Sequence, residues 1–411
     1  SGVTVDGNVT NGTVNGTSAN GSGVNVTTNG SVVDTNISGN STDGSGVTVD
    51  GNVTGGTVSG NSTNGSGVDI SGNVTNGTVN GTSANGSGVN VTTNGSVADT
   101  NISGNATDGS GVTVDGNVTG GTVSGNSTNG SGVDISGNVT NGTVNGTSAN
   151  GSGVNVTTNG SVADTNISGN STDGSGVTVD GNVTNGTVSG DGTTGGVNVS
   201  TNATVNGTDV TGNAANGSGV TVDGNVTNGT VNGTSANGSG VNVTTNGSVA
   251  DTNISGNSTD GSGVIVDGNV TNGTVSGDGT TGGVNVSTNA TVNGTDVTGN
   301  AANGSGVTVD GNVTNGTVSG DGTTGGVNVS TNATVNGTDV TGNATNGSGV
   351  TVDGNVTNGA VNGTSANGSG VNVTTNGSVA DTNISGNSTD GSGVTVDGNV
   401  TNGTVSGDGT T

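Results

Sequence analysis

The sequence predicts an all-β fold, a parallel β-helix (β-solenoid) of about 19 coils with 21–23 residues per coil. Three observations carry this. A unit of 21, 22 or 23 residues recurs along the whole chain, four aliphatic columns run through every unit, and glycine stands at constant places in each.

Cutting before each "SGV" or "GGV" divides residues 1–411 into one continuous array, from 1–21, 22–44, 45–65 and 66–86 through to 392–411. Three unit types alternate: "SGVTVDGNVTNGTVNGTSANG", "SGVNVTTNGSVADTNISGNSTDG" and "GVNVSTNATVNGTDVTGNAANG". They share a G-V-x-V head and a tail that begins at the third aliphatic residue. All length variation falls between the two, so a surface turn is expected there.

The candidate core columns are Val3, Val5, Val9 and Val14 in the first unit, and Val24, Val26, Val32 and Ile37 in the second. In the tenth unit they are Val197, Val199, Val205 and Val210. The i, i+2 pair in the head puts two side chains on one face of a strand. The third and fourth columns are five residues apart, the wrong parity for one straight strand, so "TNG", "DTN" or "NGT" must turn a corner between two short strands. Gly2, Gly16 and Gly21 represent the constant glycines, expected where φ is positive or where backbones approach closely. Val33 and Ile265 fall outside the four columns and are expected to face solvent.

Helix is excluded by the β-branched residues, the 92 glycines and the absence of a 3.6-residue spacing. A sandwich or propeller needs larger core side chains and longer strands. One coil alone buries little; stacked coils, about 4.8 Å apart, build a continuous narrow valine core, about 90 Å long for the whole array. Because each coil touches only its neighbours, removal of a whole unit such as 218–238 should leave the columns in register.

Composition narrows function. The formal net charge is −28, all of it aspartate, with no Lys, Arg or His. That excludes an electrostatic nucleic-acid footprint and disfavours binding to anionic membrane surfaces. No apolar run reaches even five residues, so no membrane insertion is expected in this segment. The chain starts and stops inside its pattern, as an interior stretch of a longer protein would. With no His, Cys, Lys, Tyr or Glu, the usual general bases and nucleophiles are missing, and no catalytic residue or cofactor site is expected.

In the unit alignment no aspartate falls in the column of an aspartate in the next coil, which avoids stacked like charges. The alternative use of these carboxylates is calcium chelation by an offset pair such as Asp43 and Asp50, although a calcium site takes about six to eight oxygens. N-x-[ST] sequences are dense, among them those at Asn8, Asn11, Asn15, Asn25, Asn36 and Asn40. They are read either as corner and ladder residues that match by composition or as glycan acceptors.

At the level of "GSGVTVDGNVTNGTVNGTSANGSGVNV" the array resembles the shaft repeats of large secreted bacterial β-helix adhesins. These are the filamentous-haemagglutinin-like exoproteins of two-partner secretion systems and related autotransporter passengers. The resemblance implies a right-handed β-helix exported by a Gram-negative cell to its surface or surroundings. It further implies a rigid structural spacer that presents a distal tip, with coils stacking on themselves and lateral or end-to-end association into filaments. The other function class is a ligand-binding solenoid, calcium-dependent or ice-binding.

Overall fold

A computed structural model describes residues 2–92, 95–157, 160–244, 247–374 and 377–410. The chain is all-β and forms a parallel β-solenoid of about 19 turns. It divides into two compact units, one of residues 1–203 with 207–209 and the other of 204–206 with 210–411. Both are built the same way.

In the first unit each head strand lies in register with the heads of the coils before and after it. Val24 pairs with Val3 and Val47, and Val68 with Val47 and Val89. The third aliphatic column, such as Val97 between Val74 and Val118, stays in the head sheet. The tail beyond the corner forms a second sheet with the same one-coil register, Ile102 lying between Val79 and Val123. In the second unit Val307 lies between Val284 and Val327, and Val318 between Val297 and Val340. Like therefore stacks on like, the strand spacing being about 4.8 Å.

The two sheets enclose the aliphatic columns. Val24, Val26, Val32, Val197, Val199, Val205 and Val210 are at most 1% exposed, and Ile37 is 2% exposed. Val3, Val5, Val9 and Val14 are half-buried, since one face of their coil alone is covered by residues 22–44. Val33 and Ile265 point outward and are half-exposed, flanked by Thr10 and Thr54 and by Asn242 and Asn285.

A corner between head sheet and tail sheet needs a left-handed residue in every coil. Successive coils supply Asn11, Asp34, Gly55, Asn76, Asp99, Gly120 and Asn141, with φ between 47 and 69°. Asparagine, aspartate and glycine are the residues that adopt this region at least cost. Gly21 serves a different turn, with φ of 112°.

Gly2 and Gly16 act through space instead. A Cβ on Gly2 would lie 2.4 Å from the Thr17 carbonyl oxygen, and one on Gly16 would lie 2.1 Å from that of Gly23. Head and tail backbones thus touch where the two sheets converge. Beside this seam an inward serine closes the section: Ser83 Oγ donates to the carbonyl of Gly65, and Ser148 Oγ to that of Gly130, each at 2.5 Å.

The residue after the left-handed corner obeys a steric rule. In all the 22- and 23-residue coils it is a buried threonine, from Thr35, Thr100 and Thr165 to Thr382. Its hydroxyl is satisfied within the turn; Thr100 Oγ1 donates to the Ala98 carbonyl at 2.7 Å. In the following coil the same position is always glycine. A Cβ there would meet the threonine carbonyl at 2.2 Å, as at Gly56 over Thr35, Gly121 over Thr100 and Gly186 over Thr165. Where the preceding coil carries glycine the space opens, and the nearest atom to a Cβ on Gly142 is 3.3 Å away. Removal of 218–238, which keeps the valine columns in register, would therefore set Thr252 directly after Thr208, a sequence of corners the chain never uses.

Two substitutions test this packing. Val199→Asp should cost several kcal/mol, because a carboxylate would enter a column with no cation to meet it; a melting temperature equal to wild type would place Val199 outside the core. Gly186→Ala should destabilise by about 1–3 kcal/mol through overpacking, whereas Gly142→Ala should stay within about 1 kcal/mol; equal melting temperatures for the two variants would refute the corner rule.

Candidate functional surface

Outward columns hold every polar group available for recognition. Wherever the strand register is defined among the described residues, aspartate faces Thr, Ser, Asn or Ala in the adjacent coil and never aspartate. Examples are Asp50 opposite Ser71, Asp134 opposite Thr113 and Asn155, and Asp321 opposite Asn300 and Asn343. Several carboxylates are held by amides one coil away. Asn64 Nδ2 donates to Asp43 Oδ1 at 2.6 Å, Asn300 Nδ2 to Asp278 Oδ1 at 2.8 Å, and Asn343 Nδ2 to Asp321 Oδ1 at 2.7 Å. The ladder continues without charge where Asn85 Nδ2 donates to Asn64 Oδ1 at 2.7 Å. An ionised acceptor strengthens such bonds, so one aspartate anchors a run of amides.

Asp43 and Asp50 are both exposed but stand in different sheets, Asp43 at the end of a tail strand and Asp50 at the end of a head strand. The Asp43 carboxylate is taken up by Asn64, and Asp50 Oδ2 accepts from the Asn29 backbone N–H at 3.5 Å. Among the described residues no three acidic groups gather as metal ligands.

Asp69 and Asp134 behave differently from the rest. Each replaces the Thr or Asn usual at the fourth head position and is drawn partly into the sheet surface. Burial raises the carboxyl pKa above its ordinary value, and the amide of Asn90 or Asn155, at 3.3 or 3.2 Å, offsets only part of that. Asp223, Asp310 and Asp353 each keep one buried oxygen without a hydrogen-bond partner, and each lies in the coil that follows a 22-residue coil.

Another asparagine column is structural. Asn52 Oδ1 accepts the Asn73 N–H and Asn117 Oδ1 the Asn138 N–H, at 2.9 and 3.0 Å, so the side chain continues the ladder across a turn where backbone partners fail. The second unit also carries an open groove of about 1110 Å³ along the tail-strand ends, floored by the column Asn257, Asp278, Asn300, Asp321 and Asn343. It offers hydrogen-bonding oxygens and amides. The chain contains no histidine, the side chain whose ordinary pKa lies nearest neutrality.

Several of these features escape a reading of the sequence. The threonine-to-glycine alternation at the corner does leave a signal, since threonine at that place marks the longer units alone. No protein-family model and no curated protein matches the chain.

The raised carboxyls fix the sign of a pH effect. Stability from Asp69 and Asp134 is fully present below the unfolded carboxyl value, about 3.9, and is lost as pH rises through the higher folded value. Asp69→Asn and Asp134→Asn should therefore raise the melting temperature at pH 7 and converge with wild type near pH 3. Variants that melt below wild type at pH 7 would reverse the assignment.

Proposed function

We propose that the chain is the shaft of a secreted or cell-surface adhesin or filament, a rigid spacer that presents a distal tip and performs no catalysis. The observation that supports this reading best is uniformity. Each coil repeats the same columns, contacts and corner, and the polar groups of each face are largely spent on the adjacent coil. Such a fold transmits position along its axis, and its length changes in steps of one coil.

The proposal includes export by a Gram-negative cell and self-association through coil stacking. It includes no cofactor and no nucleic-acid partner, in keeping with 28 carboxylates and no cation. The negative charge opposes side-by-side contact between copies, so self-association is proposed through the stacking of coils.

Two measurements test it together. Deletion of 131–151, which brings Thr165 after Gly121 as the corner rule allows, should shorten the particle by about 4.8 Å and keep its melting temperature; small-angle scattering and calorimetry read both. Calcium at matched ionic strength should move the melting temperature no more than magnesium does, whereas a saturable calcium-specific rise would favour a ligand-binding solenoid.

A further inference from the structure

The groove of the second unit has its origin in the register. Asp278 pairs with Asn257 and Asn300, while Gly282 pairs with Ser262 and Ser305. The turn from 278 to 282 is therefore four steps long, whereas those from 257 to 262 and from 300 to 305 are five. Asp321 and Gly325 repeat the shortening against Asn343 and Ser348. Both short turns read "GDGTTGG". At the inward place that holds Ser83 or Ser148 elsewhere, this stretch carries Gly279, Ala301, Gly322 and Ala344. Two shortened turns on either side of Asn300, stripped to small residues, leave the open groove of about 1110 Å³.

The hydrogen-bonding groups that line it are unbalanced. Ser235 and Ser258 donate to the carbonyls of Gly217 and Gly238, and Thr280 and Thr323 to those of Thr259 and Ala302. Asn300 Nδ2 and Asn343 Nδ2 are taken by Asp278 Oδ1 and Asp321 Oδ1. Those six donors are spent on the fold. The other side-chain oxygens of Asp278, Asn300, Asp321 and Asn343 can only accept. Both aspartates are exposed, and the chain has no Lys, Arg or His to answer them.

Spacing selects the class of partner. Asp278 and Asp321 stand two coils apart, about 9.6 Å, and the floor from Asn257 to Asn343 runs about 19 Å. A single metal ion holds its oxygens at about 2.3–2.6 Å and cannot gather groups so far apart. Sugar hydroxyls need donors as well as acceptors, and the chain has no aromatic face on which a sugar ring could stack. An ammonium group is a donor alone, and a flexible chain of amines spreads several of them along one line.

We infer that this groove binds a linear oligoamine, laid along the column with ammonium groups at Asp278 and Asp321 and a further one at the amide oxygen of Asn300 between them. Its carbon segments lie against the methyl groups of Ala301, Ala302 and Ala344. The inference adds a cationic small-molecule partner to the shaft, and its test does not depend on the shaft reading.

The whole chain is titrated calorimetrically with the tetraamine spermine at physiological salt, where the diffuse field of the carboxylates is screened beyond about 8 Å. One spermine per chain is expected to bind saturably. Asp278→Asn combined with Asp321→Asn should weaken binding about tenfold. The fold accepts that change, since Asn126 already stacks on Asn105 in the same column. Asn300→Lys keeps both carboxylates, lays an ammonium between them and should weaken binding as far. The control, Asp50→Asn combined with Asp191→Asn, removes two charges outside the groove, one of them from the same "GDGTTGG" turn. It should alter the affinity less than about twofold. Melting temperatures establish that each variant is folded. Absence of saturable binding overturns the inference, as does an equal loss in the control or wild-type affinity in Asn300→Lys.

Discussion

One constraint governs this protein: within the strands, a residue has a column-mate about 4.8 Å away in each adjacent coil. The inter-coil backbone ladder imposes that distance, and no side chain can avoid the neighbour it selects. Valine over valine is favourable because the stack excludes water along its whole length. Serine over serine is tolerated because each hydroxyl has a carbonyl of the preceding coil to bond, as Ser83 has Gly65. Two groups cannot be stacked on their own kind. Aspartate repels aspartate, and corner threonine leaves no room for a Cβ in the coil that follows, where Gly186 meets Thr165. The alternation of three unit types is the sequence's response to both.

The same constraint explains which parts of the fold could be read from the sequence. The columns of Val24, Val26, Val32 and Ile37 were legible because their spacing alone fixes strand, strand and corner. The Gly2 and Gly16 seam was legible only as a pair of constant glycines, since close approach and positive φ leave the same mark in a sequence. The 2.4 Å and 2.1 Å approaches distinguish them from Gly21 with its φ of 112°. The corner rule left a mark, threonine confined to the longer units, whose meaning the sequence does not give. Threonine and glycine at that place look like ordinary turn residues until the register shows that Gly121 lies over Thr100 and Gly142 over a glycine-cornered coil.

Function was less legible than fold because the outward residues serve the fold as well. An asparagine in this chain can be a left-handed corner (Asn76), a surrogate backbone acceptor (Asn52) or a ladder rung (Asn64), and the one-letter code is identical in each. Aspartate is equally divided. Asp34 is a corner, Asp43 the anchor of an amide run, and Asp69 a partly buried charge that the head sheet holds at a cost. A reading by residue type counts acceptor sequences and carboxylates; the register separates those already engaged from those free for chemistry.

That separation also bears on why the surface is entirely anionic. A solenoid with exposed parallel strands at its ends is a template for further coils, and identical coils are the best possible fit. Mixed charges would allow copies to attract one another at many offsets of the repeat. With carboxylates alone, side-by-side offsets between two copies bring like charges together within the Debye length, about 8 Å at physiological salt. Within the chain the carboxylates are kept off one another's columns, and amides such as Asn64, Asn300 and Asn343 disperse part of their charge. The array thus separates the two demands on its charge: repulsion is retained between molecules and reduced between coils. The exceptions are the unpartnered oxygens of Asp223, Asp310 and Asp353, each of which lies in the coil that follows a 22-residue coil.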